Sequence, residues 1–244
     1  QLGEVGPTHC GSVFTAKAGG RGMSWKTKPT DRFVLRVVKV YVSAPVSALL
    51  VHTMPEIRPM VLTFLAACSG ISGGIAFGLG FAWIGGLLAA VAQILDGVDG
   101  QVARLTDRVS SEGAFLDSVL DRYMDFSLLF GILFHCLRYS GGVGLGGIVF
   151  GPGWLLVLTG LAAAGCSQVS YATARAQSLK LNYRRPEYAG KGSRTTVIII
   201  CGLLTPFWIH FPLIALIYLG VHPNLAVIIS LLRLKGSGRD ISMQ

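Results

Sequence analysis

Charge is scarce in this chain. Asp, Glu, Lys and Arg together supply 14% of its 244 residues, against 52% that are hydrophobic. So thin a charged shell, with a mean hydropathy of +0.59, excludes a soluble fold with a solvated surface and leaves an integral membrane protein. A disulfide framework is excluded as well: the five cysteines (Cys10, Cys68, Cys136, Cys166, Cys201) are odd in number, have no CxxC spacing, and in four cases sit in apolar runs as small packing residues. The histidines lack ligand spacing, so no zinc site follows. A net charge of +9 would suit nucleic acid, but the cations lack interleaved aromatics and gather at the ends of apolar segments. Membrane topology explains them, and no nucleic-acid partner is expected. No apolar core follows the early charges, so residues 1–29 are expected to be a flexible tail or linker, or the end of an upstream domain, and not a signal peptide.

What is present is a series of apolar runs long enough to cross a bilayer. They predict six spans, at about 59–79, 81–105, 113–137, 154–179, 195–210 and 213–232, making a transmembrane domain over 53–235 with a short tail at 236–244. The last two are separated only by His210, Phe211 and Pro212, and Pro206 or Pro223 can bend either. Ahead of them, Arg32, Arg36 and Lys39 recur opposite Phe33, Val34, Val37, Val38 and Tyr41, which predicts an amphipathic interfacial helix within 30–52, capped by Thr30 or Asp31. Lys and Arg collect before the first span, after the second, between Arg175 and Arg194, and after the sixth, whereas the other side carries only Arg138. Both termini and the loops after spans two and four are therefore expected to be cytoplasmic.

Four carboxylates break the apolar pattern near that face: Asp96, Asp99, Asp117 and Asp121. A carboxylate inside an apolar helix is costly unless paired, hydrated or bound to a cation. On a helix Asp96, Asp99, Gly100 and Ala103 share a face, and so do Gly113, Asp117 and Asp121. Joined by residues 105–112, the two helices are expected to be antiparallel neighbours whose stripes face one cavity. Hard oxygen ligands in this number suit Mg2+ or Mn2+, a pair of ions rather than one. Such pairs serve phosphoryl displacement. Arg104 can neutralise a diphosphate, while Gly100 and Gly113 let a nucleotide approach the backbone.

These positions, read as D96-x-x-D99-G100-x-x-A103-R104, eight residues, then G113-x-x-x-D117-x-x-x-D121, resemble the complete signature of the CDP-alcohol phosphotransferases. Arg58, Pro59 and Thr63 are similar to that family's opening of the first span, with Met60 where Asn is common. The resemblance implies an all-α membrane fold of six helices behind an interfacial one. It also implies Mg2+- or Mn2+-dependent transfer of a substituted phosphate from a CDP-linked donor to an alcohol, with release of CMP. By position, Asp96, Asp99, Asp117 and Asp121 would hold the metals, with Asp121 a shared ligand or the catalytic base, two roles that compete because a metal-held carboxylate is a weaker base. Asp96, Gly100, Ala103, Arg104 and Gly113 would line the nucleotide site. Asp107 and Asp125 fall outside the signature and read as solvated or supporting groups, and Glu112 is open.

The segment from Arg175 to Arg194 concentrates cations beside the expected cavity. A phosphorylated acceptor such as inositol phosphate or glycerol phosphate would use them, with Lys191 and Arg194 as phosphate contacts, Gly190 and Gly192 allowing a backbone nest and Ser193 a helix cap. The same cations also satisfy the topology rule alone. This loop, with Lys28–Asp31, is similar to the inositol-phosphate branch, the di-myo-inositol phosphate phosphate synthase-like and phosphatidylinositol phosphate synthase-like proteins, in which an upstream cytidylyltransferase domain is sometimes fused. A homodimer is implied by the resemblance. The doubled GxxxG of Gly70, Gly74 and Gly78 fits a dimer face or packing within the chain. Trp83, Trp154 and Trp208 read as interface anchors. A cation or proton transporter is the alternative, but it calls for an inverted repeat or broken helices, and the acids here occupy two adjacent spans near one face.

Overall fold

The computed structural model describes residues 14–15, 24–25, 41, 43–54, 56–139, 151–179, 181 and 190–237. Apart from a two-residue antiparallel pairing of Phe14–Thr15 with Ser24–Trp25, the described residues are helical or in short connections. Seven helices are described: α1 (Ala44–Thr53), α2 (Pro59–Leu79), α3 (Ala82–Leu105), α4 (Ser111–Tyr139), α5 (Pro152–Ser178), α6 (Lys191–Leu204) and α7 (Phe211–Ser237). The cationic stripe expected at Arg32, Arg36 and Lys39, most of the tail at 1–29, the basic loop at 182–189 and the end of the chain at 238–244 lie outside the described residues.

Sequence chemistry sets the helix ends. Pro59 and Pro152 open α2 and α5, where a missing N–H costs nothing. Gly80 closes α2 in the left-handed region at φ 98°, which favours glycine. Ser110 opens α4, its Oγ accepting the Gly113 N–H at 3.0 Å. α6 starts earlier than expected and is not capped by Ser193: Gly190, in extended backbone, precedes Lys191, and Gly192 lies within the helix and forms no nest. It also stops earlier, at Leu204, because Pro206 has no N–H to continue the helical ladder, although Thr205 before it keeps a helical backbone. Pro223 does not interrupt α7, and next to it the Asn224 amide donates 2.8 Å hydrogen bonds to the Gly220 carbonyl and, across to α5, to Leu161.

Among the described residues, four helices are long and apolar enough to cross a membrane: α2, α3, α5 and the Phe211–Arg233 part of α7. α4, the longest at 29 residues, carries Asp117, Asp121, Arg122 and Asp125 within its apolar sequence. α6 has only 14 residues, about 21 Å of helix at ~1.5 Å per residue.

The central helix is α2. It packs closely against both α3 and α4, whereas α3 and α4 do not pack closely on each other despite their short connection. They are antiparallel, but not the direct neighbours that the loop length implied. Glycine decides this. A Cβ at Gly131 would strike the Gly74 carbonyl, one at Gly74 would strike Ser127 of α4, and one at Gly70 would lie 2.8 Å from Met124 Sδ. On its other side, a Cβ at Gly73 would sit 3.1 Å from the Gly85 carbonyl of α3. Backbones can approach this closely only where side chains are absent, so α2 is drawn between α3 and α4. The doubled GxxxG is thus occupied within the chain. Around this centre α6 packs on α3, α5 pairs with α7, and α1 lies on the end of α3. The buried core runs through Phe77, Ile132, Leu155, Leu213 and Leu216. Trp83, Trp154 and Trp208 are all exposed at the end where α2 and α4 finish, and there Arg138 donates to the Leu79 carbonyl at 2.8 Å. The aspartates lie toward the opposite end.

Gly131→Ala should therefore destabilise the purified protein by about 1–3 kcal/mol, the cost of overpacking a closed contact, as a lower melting temperature in detergent. Gly160→Ala, with nothing within 4 Å of its Cβ, should leave the melting temperature unchanged or slightly raised.

Candidate active site

Asp96 and Asp99 lie in the last turns of α3, and Asp117 and Asp121 in the first half of α4. Carboxylate oxygens of Asp96, Asp117 and Asp121 come within 4.8 Å of one another. The gap between α3 and α4 is what lets these side chains point at one another. Asp99 stands outside this trio. It is buried, and its carboxylate accepts the Thr63 hydroxyl of α2 at 2.6 Å and the N–H of Gly100 in its own helix. Of the four expected metal ligands, three converge and the fourth is held beside them by Thr63.

Lys191 enters the same cluster from the first turn of α6. Its ammonium donates to Asp96 Oδ1 at 2.7 Å and also to Asp121 Oδ1. One ammonium among three carboxylates leaves the cluster negative, with acceptor-only oxygens converging on a single point. Such a donor set fits a hard divalent cation, Mg2+ or Mn2+.

The positions expected to meet a nucleotide lie at the ends of the same two helices. The Arg104 side chain folds back along α3, its guanidinium 3.6 Å from where a Gly100 Cβ would sit, and it remains exposed and available to an anion. Ala103 and Gly113 are half-buried, and the Gly113 N–H is already used by Ser110. Asp107 and Glu112 are exposed and stand apart from the cluster.

The two cations chosen for an acceptor phosphate part company. Lys191 is at the cluster, whereas Arg194, one turn further along α6, is 2% exposed and turned away from it. The Arg194 guanidinium donates to Asp125 Oδ2 at 3.2 Å and to the Cys166 carbonyl of α5 at 2.9 Å. In this arrangement it does not present itself to a phosphate, because a neighbouring carboxylate and a carbonyl have already taken it.

Several supporting contacts escape sequence reasoning. The Thr63–Asp99 and Arg194–Asp125 bonds join residues far apart in the chain. So does Ser47 of α1, whose hydroxyl donates to Gln101 Oε1 at 2.9 Å and so ties α1 to the signature stretch of α3. Asp125 had a visible signal, its place one turn beyond Asp121 on the same stripe, but nothing in the sequence named its partner. Behind the cluster a cavity is lined by Gly70, Ala92, Gln93, Met124, Asp125 and Lys191.

The CDP-alcohol phosphatidyltransferase family model matches residues 56–233, from just before α2 into the end of α7. The chain belongs to this family. An archaetidylinositol phosphate synthase of Pyrococcus horikoshii is 33% identical to it over 161 residues, 66% of this chain and 77% of that protein. A bifunctional IPC transferase and DIPP synthase of Aquifex aeolicus is 39% identical over 105 residues, 43% of this chain but only 24% of the relative's length. Among solved structures, the phosphatidylinositol phosphate synthase of Mycobacterium tuberculosis with CDP-DAG bound superposes with a TM-score of 0.64 at 19% identity, covering 80% of this chain and 94% of that one. The same enzyme in complex with manganese and citrate gives a TM-score of 0.63 at 19% identity, covering 79% of this chain and 88% of that one. The fold is thus that of a membrane enzyme family, and the transporter alternative is not supported. In this chain, α2, α3, α4 and α6 each send at least one side chain to the carboxylate cluster or to its immediate support.

Removing the Thr63 hydroxyl leaves buried Asp99 without its side-chain donor. If that bond orients Asp99 toward a metal, Thr63→Val should weaken Mn2+ binding by about 10–100-fold, the usual cost of losing a ligand's orienting partner. Titration of the purified protein followed by the EPR signal of free Mn2+ measures this.

Proposed function

We propose that this protein transfers a substituted phosphate from a CDP-linked donor to an alcohol and releases CMP. The observation that carries this reading is the convergence of Asp96, Asp117 and Asp121 from two helices, with Gly100 one turn and Arg104 about two turns beyond Asp96. Asp96, Asp99, Asp117 and Asp121 hold two divalent ions, Mg2+ or Mn2+. Two ions there supply charge neutralisation for both the attacking and the leaving oxygen of the displacement.

The remaining work belongs to the chain's own groups. Arg104 binds the donor's diphosphate, and Gly100, Ala103 and Gly113, with small or absent side chains, leave space for the cytidine against the helix backbone, Asp96 contributing on the same side. The acceptor hydroxyl attacks the phosphorus that carries the donor's alcohol. The bond from this phosphorus to the oxygen shared with CMP breaks, CMP departs with that oxygen, and the hydroxyl proton passes to Asp121 as base. Lys191, on a flexible stem at the cluster, binds the acceptor's phosphate beside Asp96 and Asp121.

For the acceptor we favour inositol phosphate. The names of both relatives and the concentration of cations from Arg175 to Lys191 support it; glycerol phosphate is the other phosphorylated alcohol that this chemistry admits. The bundle crosses the membrane six times, with α4 and α6 joining the four long apolar helices. The polar sequence of α4 faces the cluster, and the turn at Thr205–His210 extends α6. An interfacial helix proposed over 30–52 overlaps α1, which runs to Thr53. The gathering of cations at the cluster end, opposed by Arg138 alone, supports a cytoplasmic active site with both termini on that side. The protein works as a homodimer through a surface other than the GxxxG face, which α4 covers.

Asp117→Asn should lower Mg2+-dependent CMP release by at least about 100-fold, on the scale of losing one preorganised charge-stabilising group, while the melting temperature stays near that of the parent. Turnover close to the parent's would sink the metal assignment. A panel of CDP-diacylglycerol, CDP-archaeol and CDP-inositol against phosphorylated and free alcohols should give CMP only with a phosphorylated acceptor. Equal rates with free inositol would remove the acceptor assignment.

A further inference from the structure

α4 and α6 carry Asp121 and Lys191 into the same cluster, yet the two helices do not pack closely on each other, and α6 rests on α3 and α7 instead. Long side chains span the gap between α4 and α6. Asp121 and Asp125 are four residues apart on α4, and Lys191 and Arg194 three apart on α6, so each pair lies on one face about one turn apart. The result is two parallel rungs: Lys191 to Asp121 at the cluster, and Arg194 to Asp125 beneath it.

The lower rung is the more enclosed and the more fully bonded. The difference lies in the cations, since the Arg194 side chain is 3% exposed against 23% for Lys191, while Asp125 and Asp121 are alike at 15% and 13%. Arg194 uses one nitrogen for Asp125 and another for the Cys166 carbonyl, so one planar guanidinium joins α4, α5 and α6. Arg122 adds a second donor to Asp125 Oδ2 at 3.3 Å. A buried ion pair is a poor way to gain stability, since an apolar pair of similar volume commonly does as well. Charged groups within apolar helices mark function.

We propose that Asp125 and Arg194 are a positioning pair that sets the register of α4 against α6 and thereby holds Asp121 and Lys191 in the carboxylate cluster. The pair itself touches neither donor nor acceptor. This inference rests on the phosphotransferase reading above for its kinetic test, and its metal-binding test stands apart from it.

The test is a double-mutant cycle of Asp125→Leu, Arg194→Met and the two combined, with Asp125→Asn and Arg194→Lys as milder variants. Each is assayed for CMP release, acceptor and donor KM, Mn2+ affinity by EPR, and melting temperature. Neutralising both charges leaves only Arg122, which is part-exposed and can be hydrated, without its carboxylate, so the double variant should fold with a melting temperature close to the parent's. Its kcat should nonetheless fall at least about tenfold and its Mn2+ affinity about tenfold, with acceptor KM rising in the Asp125 and Arg194 variants alike because Lys191 is displaced, and donor KM within about threefold of the parent's. The single variants should lose as much as the double or more, since the pair acts as a unit, and Arg194→Lys should recover part of kcat. Parental kcat and Mn2+ affinity in a folded double variant would overturn the proposal. A tenfold rise in acceptor KM in every Arg194 variant, with none in the Asp125 variants, would also overturn it and make Arg194 a direct phosphate contact. If the parent protein releases no CMP from any donor, the phosphotransferase reading fails, and the Mn2+ affinities of the parent and double variant still decide the positioning role.

Discussion

Carboxylates that converge among apolar helices repel one another, and here the repulsion is met by a cation reaching in from a third helix. Asp96, Asp117 and Asp121 come within 4.8 Å, and the Lys191 ammonium sits against two of them. Much of the fold at this end serves that contact. α3 and α4 must stand far enough apart for their acids to face each other, α6 must start just where Lys191 can reach in, and α2 must hold the arrangement from behind.

The spacing is achieved through backbone contacts rather than large side chains. Gly70, Gly74 and Gly131 bring α2 against α4, and Gly73 with Gly85 bring it against α3. A helix wedged in this way keeps its two neighbours from closing on each other. The same helix supplies Thr63, whose hydroxyl holds Asp99 beside the trio. On the far side of the gap, paired charges replace close packing, with Arg194 fastened to Asp125 and to a carbonyl of α5. The site is thus framed by glycine contacts on one flank and by ion pairs on the other. This combination suits chemistry that needs room for a nucleotide between helices that cannot drift.

Membership of the CDP-alcohol phosphatidyltransferases and the presence of the acids near one end of a helical bundle were legible in the chain. Spacing of three and four residues between acids, glycines and Arg104 survives translation into helix faces because the helix repeat is local. Helix ends were less legible. α6 begins at Lys191 and ends at Leu204 because Gly190 and Pro206 bracket it, so a span counted by apolar residues alone was displaced toward 195–210. The doubled GxxxG announced a close contact without naming its partner, for glycine records that something approaches and not what does.

By itself, then, the sequence determined the class of protein, the helical segments and the residues of the signature, since hydropathy, periodicity and motif spacing all act over one helix at a time. Only the tertiary structure decided that α3 and α4 are held apart by α2, that Asp99 belongs to Thr63, that Lys191 joins the carboxylates, and that Arg194 belongs to Asp125. These pairings unite residues 36 to 95 positions apart. At such distances no local period carries information. The partner of a buried charge is set by which helix faces meet, and that is settled by packing of the whole bundle.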